Sequence, residues 1–424
     1  MQTRRDFLKA SAAGAAVVAT TGCAGMRSRA RGNVVVIGGG YGGVTAAKYI
    51  RLWSNHQVDV TLVERNAEFI SCPLSNLVLG GYRKLADLTV SYDAIQRNHG
   101  VKLIRDEALA VDPVKREVKL AGGALLKYDR LVVSPGVDFM YETIPGLNNQ
   151  QAQEQILHGW KAGPQTITLR SQLQAMPDGG VYAMHIPKAP YRCPPGPYER
   201  ACQVASYFKQ AKPKSKVLIL DANEDVVSKK GLFMKSWQDL YGGIVEYRPS
   251  SELQDVDVKT RTAKLLFGDV KADVLNVIPP QKAARIAEST GLITTNNRWC
   301  EVDFQTLESK AIKNIHVLGD ATLSAQAMPK SGHMANQHAK VCADAIVALL
   351  AGDLVNPNPM MANTCYSFVS DKQVIHVSSV HVYDDEKRAL VPVQGSGGVS
   401  AQASEQEGSY GQAWAKNIWA DMLG

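Results

Sequence analysis

Three glycines and one acid carry the most readable chemistry in this chain. Gly38, Gly40 and Gly43 stand at G-x-G-x-x-G spacing directly after the β-branched run Val34-Val35-Val36-Ile37. Val44, Ala47 and Ile50 follow one helical turn apart, and a second apolar run, Val58 to Val63, ends on Glu64. In such a strand–turn–helix–strand unit Gly38 lets the chain turn, Gly40 lets backbone approach a pyrophosphate, and Gly43 lets helix pack on strand. The helix N-terminus offers free N–H groups and partial positive charge to phosphates. An acid at the strand tip can hydrogen-bond a ribose diol. The chemistry so encoded is dinucleotide binding.

Cysteines supply the second kind of chemistry. There are seven: Cys23, Cys72, Cys193, Cys202, Cys300, Cys342 and Cys365. Their setting follows from the N-terminus, where Thr3-Arg4-Arg5-Asp6-Phe7-Leu8-Lys9 precedes a small-residue apolar run, Ala10 to Thr21. That is a twin-arginine export pattern, too short to span a bilayer. It predicts a signal peptide over 1–24 and a periplasmic, oxidising location in which disulfides persist. The sequence by itself leaves the pairing of the remaining cysteines open. Cys72, in Ser71-Cys72-Pro73-Leu74-Ser75-Asn76, lies just before a helix, the region that in a flavin-binding fold would sit near the ring. There it is either a small buried hydrophobe or a chemical participant.

The elements that must position these residues span 424 residues, room for two or three domains. Composition is that of a globular protein, 45% hydrophobic and 21% charged. A net charge of +7 without a dense Lys/Arg block gives no nucleic-acid signature but can steer an acidic partner. The nine histidines show no metal-ligand spacing, and no transmembrane-length run follows the leader. Residues 101 to 136 read as a small antiparallel excursion returning to a buried strand that ends Ser134-Pro135-Gly136. The turn at Gly136 resembles the "ATG" turn of two-dinucleotide flavoproteins.

A second nucleotide-type unit is expected around residues 160 to 285. The strand Gly180 to Ile186 is present, and Lys216 to Leu220 ends on Asp221. Between them the glycine fingerprint is replaced by Tyr191-Arg192-Cys193-Pro194-Pro195-Gly196-Pro197-Tyr198-Glu199. Prolines offer no N–H cradle, which argues against NAD(P)H as reductant. Further on, Ile315-His316-Val317-Leu318-Gly319-Asp320 leads into a helix, resembling a second FAD motif in which the Asp accepts from the ribityl chain. A linker near 351 to 359 precedes the alternating strands Val374 to Val377 and Val380 to Tyr383. A flexible stretch is expected over Gly395 to Glu407, then a partly helical tail with Tyr410, Trp414 and Trp419.

Taken together, the twin-arginine leader, Gly38 to Gly43, Cys72-x-Leu74-Ser75-Asn76, Cys193-Pro-Pro-Gly-Pro-Tyr-Glu199-Arg200, Trp299-Cys300-Glu301, Gly319-Asp320-Ala321 and Thr364-Cys365-Tyr366-Ser367 resemble the flavoprotein subunit of flavocytochrome c sulfide dehydrogenase. The resemblance runs over nearly the whole chain. It implies an α/β fold with two Rossmann-like three-layer domains of glutathione-reductase type and a small α+β C-terminal domain. The implied division is an FAD-binding domain over 33–155 and 286–352, a degenerate nucleotide-binding-like domain over 156–285, and an interface domain over 360–424. It implies FAD held by Gly38, Gly40, Gly43, Glu64, Gly136, Gly319 and Asp320, with a thioether to Cys72. It further implies a redox pair of Cys193 and Cys365, with Glu199 handling protons. Sulfide would be the substrate, and a c-type cytochrome subunit carrying the haem would accept electrons. Two alternatives share much of this pattern: a sulfide:quinone oxidoreductase, and a non-catalytic flavin electron-transfer partner in a sulfur-oxidation complex. Cys300 and Cys342 would be buried thiols or a structural pair.

Overall fold

The computed structural model describes residues 31–424, so the expected signal segment 1–24 lies outside the described residues. Five parallel strands form the first sheet, in the order Ile315–Val317, Arg130–Val133, Gly32–Ile37, Val58–Val63, Lys102–Ile104. Val34 and Val36 are fully buried, as a parallel sheet covered on both faces requires. Helices Tyr41–Trp53 and Gly332–Ala351 pack on one another, tied by Asn336 Nδ2 donating to Thr45 Oγ1 at 3.0 Å. Gly43 explains how closely helix meets strand, because a Cβ there would fall 1.8 Å from the Gly38 carbonyl oxygen. Three neighbouring strands, Gly32–Ile37, Arg130–Val133 and Ile315–Val317, end side by side. Ser134 N–H donates to the Ile37 carbonyl (2.9 Å) and Leu318 N–H to that of Val133 (3.1 Å). Gly38, Gly136 and Gly319-Asp320 therefore leave the sheet at one edge, the carboxyl edge where open α/β sheets bind ligands.

A second parallel sheet runs Val245–Arg248, Lys216–Asp221, Val181–Ile186, Val274–Val277. Its core is aromatic, with Tyr182, Tyr191, Tyr198, Phe208 and Phe233 all buried. The two halves are stitched by an antiparallel pair, Val137–Phe139 with Gln281–Ala283. These features are the two-Rossmann architecture expected from the sequence.

The C-terminal region differs in detail from expectation. The two short strands read at 374–377 and 380–383 are one strand, Val374–Asp384, paired along its length with Met360–Phe368. Ser378 and Ser379 do not break it, because Thr364 and Asn363 lie opposite them. The stretch 395–407 is not uniformly irregular either. Gly398–Val399 pairs with Val377-Ser378, and the helix Glu405–Leu423 starts within it, with the Ser404 hydroxyl accepting from the Glu407 N–H. This last helix returns to the first domain. Ile418, Met422 and Leu423 enter its core, and Asp421 accepts from Tyr49 Oη (2.6 Å), Asn336 Nδ2 (2.8 Å) and Lys340 Nζ (3.0 Å). Cys202, Cys300 and Cys342 are fully buried free thiols, which leaves no structural pair between Cys300 and Cys342.

Candidate active site

The glycine turn is shaped for a ligand. Gly38 has φ +98°, and a Cβ on it would press within 2.3 Å of the Ser134 carbonyl oxygen. A Cβ on Gly40 would meet no heavy atom within 4 Å, so open space lies over the N-terminus of helix Tyr41–Trp53. No side chain caps that helix, leaving its first amides to whatever anion enters. Glu64 is held with one oxygen on the Gly39 N–H (2.6 Å) and the other on Asn66 N–H and Nδ2 (2.7 and 2.6 Å). Gly136 takes φ +69° over open space, and Gly319 takes φ +67° against Ala335. Asp320 Oδ1 is buried without a hydrogen-bond partner among the described residues, and burial raises its pKa despite Arg192 and Lys330 nearby. A buried acceptor left open is what a ribityl hydroxyl would satisfy. Open cradle, strand-tip acid and orphaned acceptor together fit FAD.

Cys72 stands at the end of this groove. Its sulfur accepts from Arg192 Nη2 (3.2 Å) and from the Ala162 N–H (3.4 Å). Arg192 is the hub that joins the groove to the other cysteines. Burial opposes its charge, but Cys72, Asp320 and Cys193 around it more than compensate and raise its pKa. Its backbone is fixed by Gln281 Oε1 (2.9 Å), and its carbonyl accepts from Trp160 Nε1 (3.1 Å). The next residue, Cys193, is held at φ +57° with its N–H on the Lys330 carbonyl (2.8 Å). A non-glycine residue in that region stores about 1–3 kcal/mol, a strain that clusters at functional sites. Gly196 is required here, since a Cβ would come within 2.8 Å of Cys193 Sγ.

Cys365 approaches from the strand Met360–Phe368. Its sulfur accepts from Asn363 Nδ2 at 3.3 Å, and Asn363 is in turn held by the Ser331 hydroxyl (2.6 Å). Cys193 and Cys365 sense each other electrostatically, both are only partly buried, and both are thiols in this structure. Burial raises the pKa of each. Cys365 and Glu199 push Cys193 further up, whereas Lys229, Asn363 and Ser331 pull Cys365 down.

Glu199 lies in the first turn of helix Gly196–Ala211, yet its carboxylate does not cap that helix. Oε1 accepts from the Phe368 N–H (2.9 Å) and Oε2 from Asn76 Nδ2 (3.0 Å). Burial raises its pKa, opposed by those two donors and by Lys229 and Arg200. Asn76 Oδ1 accepts from Arg200 Nε (3.1 Å), so the acid and the helices Asn76–Gly80 and Gly196–Ala211 form one network. Lys229, also at a left-handed φ of +54°, puts Nζ on Ser367 Oγ (2.7 Å) and the Cys365 carbonyl (3.0 Å).

Of the residues named from the sequence, Cys72, Cys193 and Asp320 lie around Arg192, Cys365, Cys193 and Glu199 lie around Lys229, and Glu64 sits at the glycine turn. Sequence reasoning missed Arg192, Asn76, Lys229, Lys330 and Asn363. Arg192 carried a signal, being a cation beside a cysteine in a stiff loop. Lys229 carried none, because it reaches Cys365 only through the fold. No group of three or more His, Cys, Asp or Glu among the described residues could hold a metal ion.

Comparison with known proteins agrees with this geometry. Residues 1–21 match the twin-arginine translocation signal model, which places the chain on the export route to the periplasm. Residues 32–163 match pyridine nucleotide-disulphide oxidoreductases, 166–279 the central part of the flavocytochrome c sulfide dehydrogenase flavoprotein chain, and 357–423 its flavin-binding domain. These flavin-binding matches indicate FAD. The sulfide dehydrogenase (flavocytochrome c) flavoprotein chain of Chlorobaculum thiosulfatiphilum is 51% identical over 45 residues, 11% of this chain and 92% of that sequence. The mitochondrial sulfide:quinone oxidoreductase of Mus musculus is 22% identical over 304 residues, 68% of this chain. The match spans 65% of that relative's own length. The sulfide:quinone oxidoreductase structure from Aquifex aeolicus superposes with a TM-score of 0.73 at 18% identity, covering 92% of this chain and 91% of that one. Among the described residues, no helix is long and apolar enough to cross a membrane.

Proposed function

This chain belongs to the flavoprotein family of flavocytochrome c sulfide dehydrogenase, and from that premise we propose that it oxidises sulfide at a Cys193–Cys365 disulfide beside FAD and passes the electrons to a c-type cytochrome subunit. The observation that carries the reading is Arg192, whose charge answers to Cys72, Asp320 and Cys193 at once. It ties the FAD groove to the redox loop.

Gly38, Gly40 and Gly43 with the helix N-terminus would hold the pyrophosphate, Glu64 the ribose, Gly136 and Gly319 the close backbone approaches, and Asp320 the ribityl chain. Cys72 would carry the flavin ring as a thioether. FAD bound there supplies a two-electron acceptor that releases electrons singly. The protein's own share begins with hydrosulfide, a small nucleophile that reaches the half-buried Cys193–Cys365 bond. A new S–S bond forms as the old one breaks, leaving a persulfide on one cysteine and a thiolate on the other. Glu199, its pKa raised by burial, holds or takes up a proton at its carboxyl group beside the pair. Domain roles follow the same division: 33–155 and 286–352 hold FAD, 156–285 presents Cys193, and 360–424 presents Cys365 and meets the partner.

We read the 156–285 domain as serving without NAD(P)H. Pro194, Pro195 and Pro197 stand where a phosphate cradle would be, and Tyr198 Oη donates to Asp221 at 2.7 Å, where a ribose would bind. Likeness to sulfide:quinone oxidoreductases keeps a quinone as the second candidate acceptor. The C-terminal helix favours the cytochrome, because its apolar residues Ile418, Met422 and Leu423 are spent inside the first domain's core. Sulfide-dependent reduction by the purified flavin-loaded chain, assayed with a c-type cytochrome subunit and with a soluble quinone, tests the reading. Cytochrome reduction that requires Cys193 supports it, and quinone reduction alone contradicts it.

A further inference from the structure

Lys229 is a buried cation that the step above does not use. It stands just before the helix Lys230–Tyr241, and its Nζ donates to Ser367 Oγ (2.7 Å), the Cys365 carbonyl (3.0 Å) and the Ile375 carbonyl (3.4 Å). All three acceptors are neutral, so they satisfy the ammonium's hydrogens without cancelling its charge. Two of them, the Cys365 carbonyl and the Ser367 hydroxyl, lie on the strand of Cys365, and Ile375 pairs with Ser367 from the neighbouring strand. The groups facing Lys229 from every packed element are Cys365, Cys193, Glu199 on helix Gly196–Ala211, Glu407 on the last helix, and the Phe233 ring at 5.6 Å.

The charge balance of disulfide opening gives this cation a task. Hydrosulfide brings one negative charge, its sulfur bonds to one cysteine, and the bonding pair of the broken S–S bond leaves with the other. The products are a neutral persulfide and a thiolate, so one negative charge enters the pocket and remains there. Burial makes that charge costly unless it is countered. Arg192 faces Cys72, Asp320 and Cys193, whereas Lys229 faces Cys365 first and Cys193 less strongly.

We infer that Lys229 is the counter-charge of the disulfide step, drawing hydrosulfide to the Cys193–Cys365 pair and stabilising the thiolate it displaces. The inference rests on the redox-pair reading. Lys229 acts here as a positioning residue, through the sulfurs and not as a proton donor. Its own pKa is pulled down to about 8 by burial, against the pull of Cys365, Glu199 and Cys193, so the charge is present at neutral pH and fades above about 8.

The test compares wild type, Lys229→Met and Lys229→Arg as flavin-loaded proteins. Each is reduced, then labelled with methyl methanethiosulfonate across pH, and Cys193 and Cys365 are quantified by peptide mass. The expected result is a Lys229→Met profile displaced upward by about one pH unit, with labelling at neutral pH slowed about tenfold. Lys229→Arg should stay close to wild type. A folded Lys229→Met with the wild-type profile overturns the inference, as does a Lys229→Arg impaired to the same degree. If Lys229→Met does not fold, Ser367→Ala keeps the ammonium and removes one of its anchors. It should displace the profile in the same direction by a smaller amount, and an unmoved profile overturns the inference. A disulfide-linked Cys193–Cys365 peptide in oxidised wild type must also be found. Its absence overturns the redox-pair reading, and this inference with it.

Discussion

The two nucleotide-type halves of the molecule use the same scaffold and finish it in opposite ways. Each has a parallel strand, a loop, a helix and a second strand ending on an acid. Each acid is followed two residues later by an asparagine that grips one carboxylate oxygen: Asn66 on Glu64, and Asn223 on Asp221 by N–H (3.0 Å) and Nδ2 (2.7 Å). The other oxygen decides the outcome. Glu64 turns it to the Gly39 N–H at the lip of an open groove. Asp221 spends it on Tyr198 Oη (2.7 Å) and Tyr247 Oη (3.1 Å), and it is fully buried. One half keeps its helix N-terminus open. The other fills the equivalent space with its own tyrosines and turns the loop into a mount for Cys193. On the proposed reading, a nucleotide fold keeps its backbone and exchanges ligand binding for redox chemistry by changing one loop.

The largest expected effect lies in the converted half. Cys193→Ser should lower sulfide-dependent turnover by about a thousandfold or more while flavin content stays unchanged. A variant that loses flavin as well would mean that the loop is still part of the FAD site. Acid should weaken both halves together. Burial lowers the pKa of His338 in the first half from 6.5 to about 3, and that of His185 in the second from 6.5 to about 4. Between those values the unfolded state binds a proton that the folded state refuses, so stability falls as pH falls below 6.5. Urea unfolding at pH 7 and pH 5 should differ by about 2 kcal/mol per histidine. A level profile would show that water reaches these rings.

In the open half, Gly40→Val should cut FAD affinity about a hundredfold, near 2.7 kcal/mol. The apoprotein should melt where wild type does, because the new side chain enters empty space. Unchanged flavin affinity would remove Gly40 from the pyrophosphate site. The counterpart in the closed half is smaller. Tyr198→Phe strips a donor from a buried carboxylate and should cost about 1–3 kcal/mol in urea unfolding, without changing flavin content. Any gain of NADPH binding in that variant would show that the tyrosine is what closes the second site.

How much of this could be read from the sequence depended on how local each feature is. The unit from Asn33 to Glu64 is continuous, and every part of it announces itself by type and spacing. The proline loop is equally visible as the absence of a glycine cradle, but the Tyr198–Asp221 contact is not. Cys193 and Cys365 share a site only because the last antiparallel sheet folds back on the second domain. Their meeting entered through resemblance, not through spacing. Lys229 and Asn76 act across long separations in the chain and leave no local trace, whereas Asn363 stands two residues before the Cys365 it holds. The single strand Val374–Asp384 reads as two in sequence because Ser378 and Ser379 look like a break until their partners across the sheet are known.

The most direct test of the contrast between the halves is an anaerobic titration of the oxidised flavin-loaded chain, following flavin absorbance. Sulfide and NADPH are added to separate samples. The account predicts stoichiometric bleaching by sulfide, abolished in Cys193→Ser, and no bleaching by NADPH. Bleaching by NADPH, or sulfide bleaching that persists without Cys193, would contradict it.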